Sequence, residues 1–374
     1  MAIQSLDNMI NALTAGNSWR ADWNKNALPT TAQAAGQWYD LSMGSGTPLM
    51  GSIVGSTTNL AHQGITESTT TTATTTALNG QVNTTTFTDT THSTGRFTVG
   101  MQLSGTGVVA GTYIQALGTG TGANNGGTYT TNTTTNAVTN QTITGTAYPG
   151  GIYHGGNVSP SIKSLLNASV FSGALTSAPA VFMLYDMLAC YTISSVTTTG
   201  AQNFTGQTSW PRYASGAGVR AFLVPSVVMG AGTPTVQLSY TNVASTAGQL
   251  TPATPSLPII NATAPVGSIP YTGTGPGKVG PFLPLAAGDT GIKSVQSINF
   301  SATMTSGCMN LVICKPLAFI PITTVGVAGE RDFLNMIPSL PTIQDGAVLQ
   351  WMMYAGAATP INTAYAGHLD VCWG

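Results

Sequence analysis

Residues 95–135 read GRFTVGMQLSGTGVVAGTYIQALGTGTGANNGGTYTTNTTT, with Arg96 as the only charged side chain. Apolar residues alternate along its first part, at Phe97, Val99, Met101 and Leu103. Strict alternation is typical of a half-buried strand, and disordered chains lack such an apolar face. Further strands are predicted around Ile114 and at TYTTN (128–132) and QTITGTA (141–147). The stretch therefore predicts a small antiparallel β module and not a spacer.

The composition on either side of this stretch sets the predicted domain limits. From residue 66 to 146 threonine dominates and charge is nearly absent, although TTTTATTT (69–76) is a low-complexity run typical of disorder. We predict an N-terminal helix or arm with the first part of a β body at 1–65. An inserted Gly/Thr-rich β module follows at 66–146, and the main β-rich body at 147–374.

Two helices are predicted outside the module. Near the N-terminus, helical spacing places four apolar residues on one face, with Ser5 as N-cap and Gly16 as the stop; they are Leu6, Met9, Ile10 and Leu13. The second helix begins at Ser159 and Pro160, and its apolar face holds Ile162, Leu165 and Leu166.

The rest of the chain favours strands. PAVFMLYDMLACY (179–191) fits a buried helix or a buried strand equally well. Six later segments are predicted strands: VRAFLVPSVVM, TVQLSYTNV, GIKSVQSINFSATM, CMNLVICKPL, VLQWMMY and HLDVCW. GERDFLNMIPSLP holds one helical turn, and Glu330 and Asp332 beside Arg331 suggest an ion-paired helix start. The predicted fold class is mainly β, a sandwich or jelly-roll-like body with a few short helices and the inserted module.

Charged residues are scarce. They form 6% of the chain, against about 25% in ordinary globular proteins, which predicts that much of the surface is buried against neighbouring subunits. The alternative is that Thr, Ser, Asn and Gln solvate the surface without charge. A net charge of −1 disfavours nucleic-acid binding. No segment predicts a membrane span or a secretory signal, so we expect the chain to accumulate in the cytosol where it is made.

Aromatic residues cluster near the N-terminus. Trp19, Trp23 and Trp38 fall within twenty positions, close to Arg20 and Tyr39. Because Trp, Tyr and Arg dominate interface hot spots, these five are the predicted subunit-interface residues. The alternative is an arm whose aromatic residues pack onto the core of its own chain.

Catalytic, cofactor and metal motifs do not fit. In TGTGPGKVG (272–280) the phosphate-loop register needs Gly and Ser or Thr where Thr272 and Val279 stand. The four histidines lack metal-ligand spacing, and no serine-nucleophile elbow occurs. We therefore predict no catalytic, cofactor-binding or metal-binding residues, no small-molecule substrate and no enzyme activity.

The four cysteines do not form a disulfide framework. Cys308 and Cys314 lie six residues apart in an alternating segment, which separates them by about 20 Å on one strand face. Buried free thiols are the default expectation. Cys372, next to the C-terminus, is the candidate for an intermolecular disulfide.

Two sets of segments resemble known phage proteins. Residues 1–60 and 148–374, including SLDNMINALTAGNSWRADWNK, YPGGIYHGGNVSPSIKSLLN and GERDFLNMIPSLP, resemble a family of tailed-bacteriophage virion proteins described as structural or head-associated. The segment TGRFTVGMQLSGTGVVAGTYIQALGTGTGANNGGTYTTN resembles a β module of many phage structural proteins. The resemblance implies a virion location, with assembly in the cytoplasm of the host bacterium, and implies no catalytic residues.

The expected function is a capsid decoration or cement protein. Its expected partners are other copies of itself, with a trimer among the candidate states, and the major capsid protein. A shell protein of the common tailed-phage type would need a long spine helix and a charge-rich N-terminal arm, and the sequence predicts neither. The alternatives are a tail, baseplate or host-adsorption protein, a depolymerase, and the major capsid protein itself.

Overall fold

The structure is a computed structural model. It describes residues 3, 5–26, 32–43, 46–47, 63–66, 74–90, 92–94, 101–109, 112, 114–117, 119, 127–131, 136–147, 151–152, 154, 158–173, 178–193, 199–204, 210, 212–227, 229–232, 234–252, 267–269, 280–336 and 340–374. These residues form four sheets and two short α-helices, which confirms the predicted mainly β fold with a sandwich-like body.

Sheet I contains the N- and C-terminal strands of the chain. Its strands are β1 (Ser18–Asn26), β3 (Gly46–Thr47), β12 (Lys163–Ser172), β21 (Gly329–Asp332), β22 (Thr342–Ile343) and β24 (Ala364–Trp373). They lie in the order β21-β12-β24-β1-β3, and β22 pairs with β12.

Sheet II is the seven-stranded centre of the body. Its strands are β2 (Gln37–Asp40), β4 (Gln63–Thr66), β13 (Ala180–Ile193), β15 (Arg220–Val227), β18 (Ser268–Ile269), β20 (Cys308–Ile322) and β23 (Leu349–Ala355). They lie in the order β15-β20-β13-β23-β2-β18, and β4 pairs with β13 in parallel.

Sheet III has four strands in the order β14-β19-β16-β17. They are β14 (Gly200–Asn203), β16 (Val236–Asn242), β17 (Gln249–Leu250) and β19 (Ile292–Phe300). The six segments from VRAFLVPSVVM to HLDVCW are thus confirmed as strands β15, β16, β19, β20, β23 and β24, and the undecided segment at 179–191 lies in strand β13.

Strand β13 contributes to three hydrophobic cores. Phe182 and Leu184 pack in the core shared with sheet I, and Leu188 and Tyr191 in the core shared with sheet III. Tyr185 belongs to a third core on the other side of the strand. Because β13 is buried on both faces, its sequence shows a continuous apolar run without alternation. This explains why periodicity did not distinguish a strand from a helix here.

Helix α1 (Leu6–Thr14) follows the prediction. The backbone N–H of Asn8 donates to Ser5 Oγ at 3.2 Å, so Ser5 is the N-cap. Gly16 ends the helix with φ of +76°, a left-handed conformation that favours glycine. A 3₁₀ turn at Leu41–Met43 and helix α2 (Phe333–Met336) complete the described helical segments.

The helix predicted from Ser159 is wrong, because this segment forms strand β12. Strand β24 pairs along one edge of β12, and β21 and β22 pair along the other. The register with β24 shifts between Leu165 and Asn167. Such a bulge breaks the two-residue alternation of a strand, so the local apolar spacing resembles that of a helix. Long-range sheet pairing then overrides the local capping signal.

The ion-paired helix start at Glu330 also needs correction. Glu330 lies in strand β21, where the Asn167 amide donates to its carboxylate. Asp332 begins the helical turn in a different way, since the backbone N–H of Leu334 donates to Asp332 Oδ1 at 2.9 Å. The turn is therefore capped by a side chain.

Sheet IV contains the Gly/Thr-rich strands. They are β5 (Thr74–Thr84), β6 (Thr86–Asp89), β7 (His92–Thr94), β8 (Met101–Ser104), β9 (Ile114–Leu117), β10 (Gly127–Thr131) and β11 (Asn136–Ala147). Their order is β8-β11-β5-β6-β10-β9, and β7 pairs with β5. The four strands predicted from sequence correspond to β8, β9, β10 and β11, although Phe97 and Val99 lie outside the described residues. Strands β5 to β7 were not predicted.

Sheet IV has a small core of its own. Phe87 stacks on Tyr129 with ring centroids 5.4 Å apart, and both side chains are buried. The other buried apolar members of this core are Val82, Leu103, Ile114, Val138 and Ile143. Sheet IV thus has its own hydrophobic cluster, and the inserted module at 66–146 stays a prediction.

Two buried carboxylates anchor the centre of sheet II. Arg212 donates to both Asp186 oxygens at 2.7 and 2.8 Å, and the Val348 N–H donates to Asp186 Oδ1 at 2.9 Å. On the other face, Asp40 accepts hydrogen bonds from Ser42 and from Tyr185 Oη. Burial raises the pKa of both carboxyl groups. The hydrogen bonds from these donors act in the opposite direction and stabilise the charged carboxylates.

We expect the substitution Arg212→Ala to lower the free energy of unfolding by about 3 to 5 kcal/mol, because it leaves Asp186 buried without its guanidinium partner. Urea denaturation at pH 7 measures the change. Thr324→Ala, at an exposed position between β20 and β21, is the control and should cost less than about 0.5 kcal/mol. A loss below about 1 kcal/mol in Arg212→Ala would show that the pair does not anchor the sheet.

The separate core of sheet IV predicts two unfolding transitions in calorimetry. Phe87→Ala should destabilise one of them by about 3 to 5 kcal/mol and leave the other unchanged. Phe182→Ala, in the core shared by sheets I and II, should shift only the second transition. If both variants shift one common transition, the chain is a single cooperative unit and the module prediction fails.

Candidate interaction surface

Helix α1 leaves most of its apolar face in solvent. Leu6, Ile10 and Leu13 are 56%, 46% and 41% exposed, and only Ala12 is buried. A helix of nine residues is not stable alone in water. Its described attachment is to the C-terminal strand, where the Trp373 N–H donates to Asn17 O at 3.0 Å. The helix is thus held on one side and presents apolar side chains on the other.

Of the five predicted interface residues, two lie at the surface. Trp19 is 42% exposed and the Arg20 side chain is 58% exposed. Trp23 stacks on Trp351 inside the core, with ring centroids 5.0 Å apart. Trp38 and Tyr39 are buried as well, in the cores on the two sides of sheet II. These three residues match the alternative interpretation, in which the aromatic residues pack onto the core of their own chain.

The solvent-facing side of sheet I carries a polar network around Arg20. In the strand register Arg20 pairs with Asp370, and His368 pairs with both Asp22 and Ser169. Arg20 Nη2 lies 2.8 Å from His368 Nδ1, and its guanidinium lies 3.5 Å from Asp22 and 3.8 Å from Asp370. Strands β1, β24 and β12 therefore bring together residues from both ends of the chain.

This network contains a serine, a histidine and an aspartate, but it is not arranged as a nucleophilic triad. Ser169 Oγ lies 2.7 Å from His368 Nδ1, the same nitrogen that Arg20 approaches. Because a guanidinium only donates, it occupies the lone pair that would accept the serine proton. Ser169 is also nearly buried and accepts a hydrogen bond from the His368 backbone N–H. The arrangement fixes side chains and gives no activated hydroxyl.

Strand β21 extends this face with more carboxylates. Glu330 pairs with Ser169 and Asp332 with Asn167, so both lie on the same side of the sheet. Together with Asp22 and Asp370 they make four of the eleven acidic residues of the chain. No sequence pattern indicates this grouping. His368 and Asp370 share a strand face by two-residue spacing, but only strand pairing brings β1, β12 and β21 beside them.

A second polar cluster is buried at the start of β12. Lys163 Nζ lies 3.1 Å from His154 Nδ1 and 3.4 Å from Asp345 Oδ1, and His154 Nε2 lies 3.0 Å from the Ala347 carbonyl oxygen. Burial first, and then the positive charge of Lys163, lower the pKa of His154 to about 4. Burial also lowers the pKa of Lys163. At neutral pH His154 is thus an uncharged bridge between a cation and the backbone.

Cys372, the candidate for an intermolecular disulfide, is a buried free thiol in this chain, and its burial disfavours such a bond. It lies on β24 between β1 and β12, opposite Ser18 and Ser164. Burial raises the pKa of its thiol to about 11, so the reactive thiolate is rare at neutral pH. Cys190 and Cys314 are also buried free thiols, as expected.

Across the described ranges, no three His, Cys, Asp or Glu residues group in a way that could hold a metal ion. None of the helices in those ranges has the length and apolarity needed to cross a bilayer.

No protein-family model matches the chain, and no curated protein matches it. Weak similarity exists to viral particle proteins among solved structures. One is an infectious bursal disease virus VP2 subviral particle, at 10% identity and a TM-score of 0.14, covering 79% of this chain and 82% of that chain. Another is a T=1 particle derived from infectious bursal virus, at 10% identity and a TM-score of 0.13, covering 79% of each chain. Similarity at this level carries no argument about fold or function.

The lowered pKa of His154 predicts acid sensitivity. Its value in the unfolded chain is near 6.5, so the unfolded state binds more protons between pH 6.5 and pH 4, and stability falls as pH falls through this window. The loss attributable to His154 is about 3 kcal/mol at most. Urea denaturation between pH 7 and pH 4 should therefore show a shallower decline in His154→Gln than in the parent chain.

The surface variant Thr324→Ala is the control and should follow the parent curve. Equal declines in His154→Gln and the parent would show that His154 does not couple protonation to folding.

Proposed function

We propose that this protein is a non-enzymatic structural component of a bacteriophage virion, most specifically a decoration or cement protein of the head. The observation that carries the proposal is the exposed apolar face of α1, continued by Trp19, on a chain with very few charges. An apolar helix face in solvent is a recognition surface that fits a hydrophobic groove. Its copies would add subunit contacts that stabilise the shell.

The charge density of the surface supports this role. The isolated chain exposes 14426 Å² and has 21 charged residues, or on the order of 700 Å² for each charge even if all were exposed. Soluble monomers with ordinary composition have roughly four times as many charges. A surface so poor in charge gives little protection against association and suits a protein that works in a permanent assembly.

The chemistry of α1 favours a protein partner over a membrane. Asp7 is the only charged residue before Arg20, so the helix lacks the basic polar face that binds anionic lipid. The proposed partners are the major capsid protein, whose surface would supply the groove, and other copies of this chain. The segments that resemble tailed-phage virion proteins, at 1–60 and 148–374, support the same assignment.

Two other virion roles are alternatives. A tail, baseplate or host-adsorption protein would use sheet IV to bind a host surface, but its aromatic side chains Phe87 and Tyr129 are buried in that sheet's own core. The major capsid protein would be the dominant band of empty heads. Copy number separates the decoration role from the adsorption role, because a protein that covers the shell is present in many copies and an adsorption protein in few.

We expect Ile10→Asp to reduce the number of copies per purified particle at least tenfold, because a carboxylate on the apolar face must be desolvated when the helix docks. Quantitative mass spectrometry of particles from infected cells measures the copies. Asn11→Asp adds the same charge on the polar face of the helix and is the matched control. Only a few copies of the parent protein per particle would overturn the decoration role.

A further inference from the structure

Two groups of described charged residues form surfaces of opposite sign. The acidic face is the solvent side of sheet I, with Asp22, Glu330, Asp332 and Asp370 around the single guanidinium of Arg20. The rest of the chain then has seven of the eleven acids and nine of the ten bases. A protein with a net charge of −1 thus has one clearly negative face.

The basic cluster consists of Arg220, Lys293 and Lys315, which lie around the loop at 215–218. Lys315 Nζ donates to Ala217 O at 2.9 Å, and Arg220 Nη1 donates to Thr290 O at 2.7 Å. Lys293 follows the isolated bridge between Ala217 and Gly291, and its Nζ donates to Ser245 Oγ at 2.7 Å. All three side chains are half-buried and make these bonds at the surface.

Arg220 and Lys315 lie close enough for one charge to act on the other. Burial, followed by the positive charge of Arg220, lowers the pKa of Lys315. One carboxylate, Asp289, lies beside the cluster and accepts hydrogen bonds from Tyr240 and Asn242. Three cations against one hydrogen-bonded carboxylate leave a net positive surface.

We propose that the acidic face of one copy docks onto the basic cluster of a second copy. The two surfaces have complementary charge and use different strands, β1, β24, β12 and β21 on one side and β15, β19 and β20 on the other. The contact is therefore heterologous, and repeated contacts close into a ring or continue as a filament. These two surfaces contain eight of the 21 charged residues, so electrostatic pairing sets the orientation of neighbours.

A second copy fits these surfaces better than a nucleic acid. Three cations beside a carboxylate make few phosphate contacts, and the acidic face repels a phosphate backbone. The proposal extends the proposed assembly with other copies. Its test uses purified protein in solution, so its failure leaves the virion role untouched.

The test is a reciprocal charge reversal. The acidic-face variant combines Asp22→Lys with Glu330→Lys, and the basic-cluster variant combines Arg220→Glu with Lys293→Glu. Analytical ultracentrifugation of the parent protein at 50 mM NaCl should show oligomers that dissociate at 1 M NaCl, since salt screens exposed charges. Each variant alone should raise the dissociation constant about tenfold or more. An equimolar mixture should restore association, because each interface then pairs opposite charges.

Thermal denaturation of each variant confirms folding before the mixing experiment. If one variant fails to fold, the neutral pair Asp22→Asn with Glu330→Gln replaces it on the acidic face, and Arg220→Gln with Lys293→Gln on the basic cluster. A neutral pair should weaken association of the folded protein without rescue on mixing. A monomeric parent protein, or oligomers that the substitutions and salt leave unchanged, would overturn the proposal.

Discussion

The pairing of β13 with β20 is the interaction on which the body of this protein depends. The two strands are hydrogen-bonded along nearly their whole length, from Ala180 opposite Ile322 to Ile193 opposite Met309. Side chains of β13 enter all three cores of the body, so sheets I and III are both positioned by this one strand. In its middle, Asp186 must keep Arg212, because an unpaired carboxylate at this depth is very costly. The strand pair and its buried ion pair therefore fix the arrangement of the other sheets.

Sheet I turns this arrangement into a surface. Its inner face packs Trp23, Leu165 and Leu369 against sheet II, which places the alternate residues of the same strands on the opposite face. Among them are Arg20, Asp22, His368 and Asp370, which come from the two ends of the chain. Helix α1 precedes β1 and contacts the end of β24, so an apolar helix and a polar sheet face adjoin at one edge of the body. The proposed attachment and the proposed contact between copies use these two neighbouring features.

Sequence patterns identified elements well where one face is apolar and the other is polar. Helix α1, strand β16 and the later strands of sheet IV have the expected periodicity because each has one apolar face. The patterns failed where an element is buried on both faces or irregular. Strand β13 could not be distinguished from a helix, and the bulge in β12 produced an apolar spacing like that of a helix. The threonine-rich start of β5 also lacked an apolar signal, and it is held in the sheet by pairing with β7 and β11.

The sequence by itself determined the mainly β class, the capped N-terminal helix, the scarcity of charge and the absence of familiar catalytic motifs, because these depend on composition and on neighbours close along the chain. Only the tertiary structure decided which aromatic residues are available: it buried Trp23, Trp38 and Tyr39 and left Trp19 exposed. It also buried Cys372 and assembled the acidic face from strands more than 300 residues apart. The physical reason is that strand pairing is long-range. No local pattern records which strand lies beside which, and therefore which side chains share a surface.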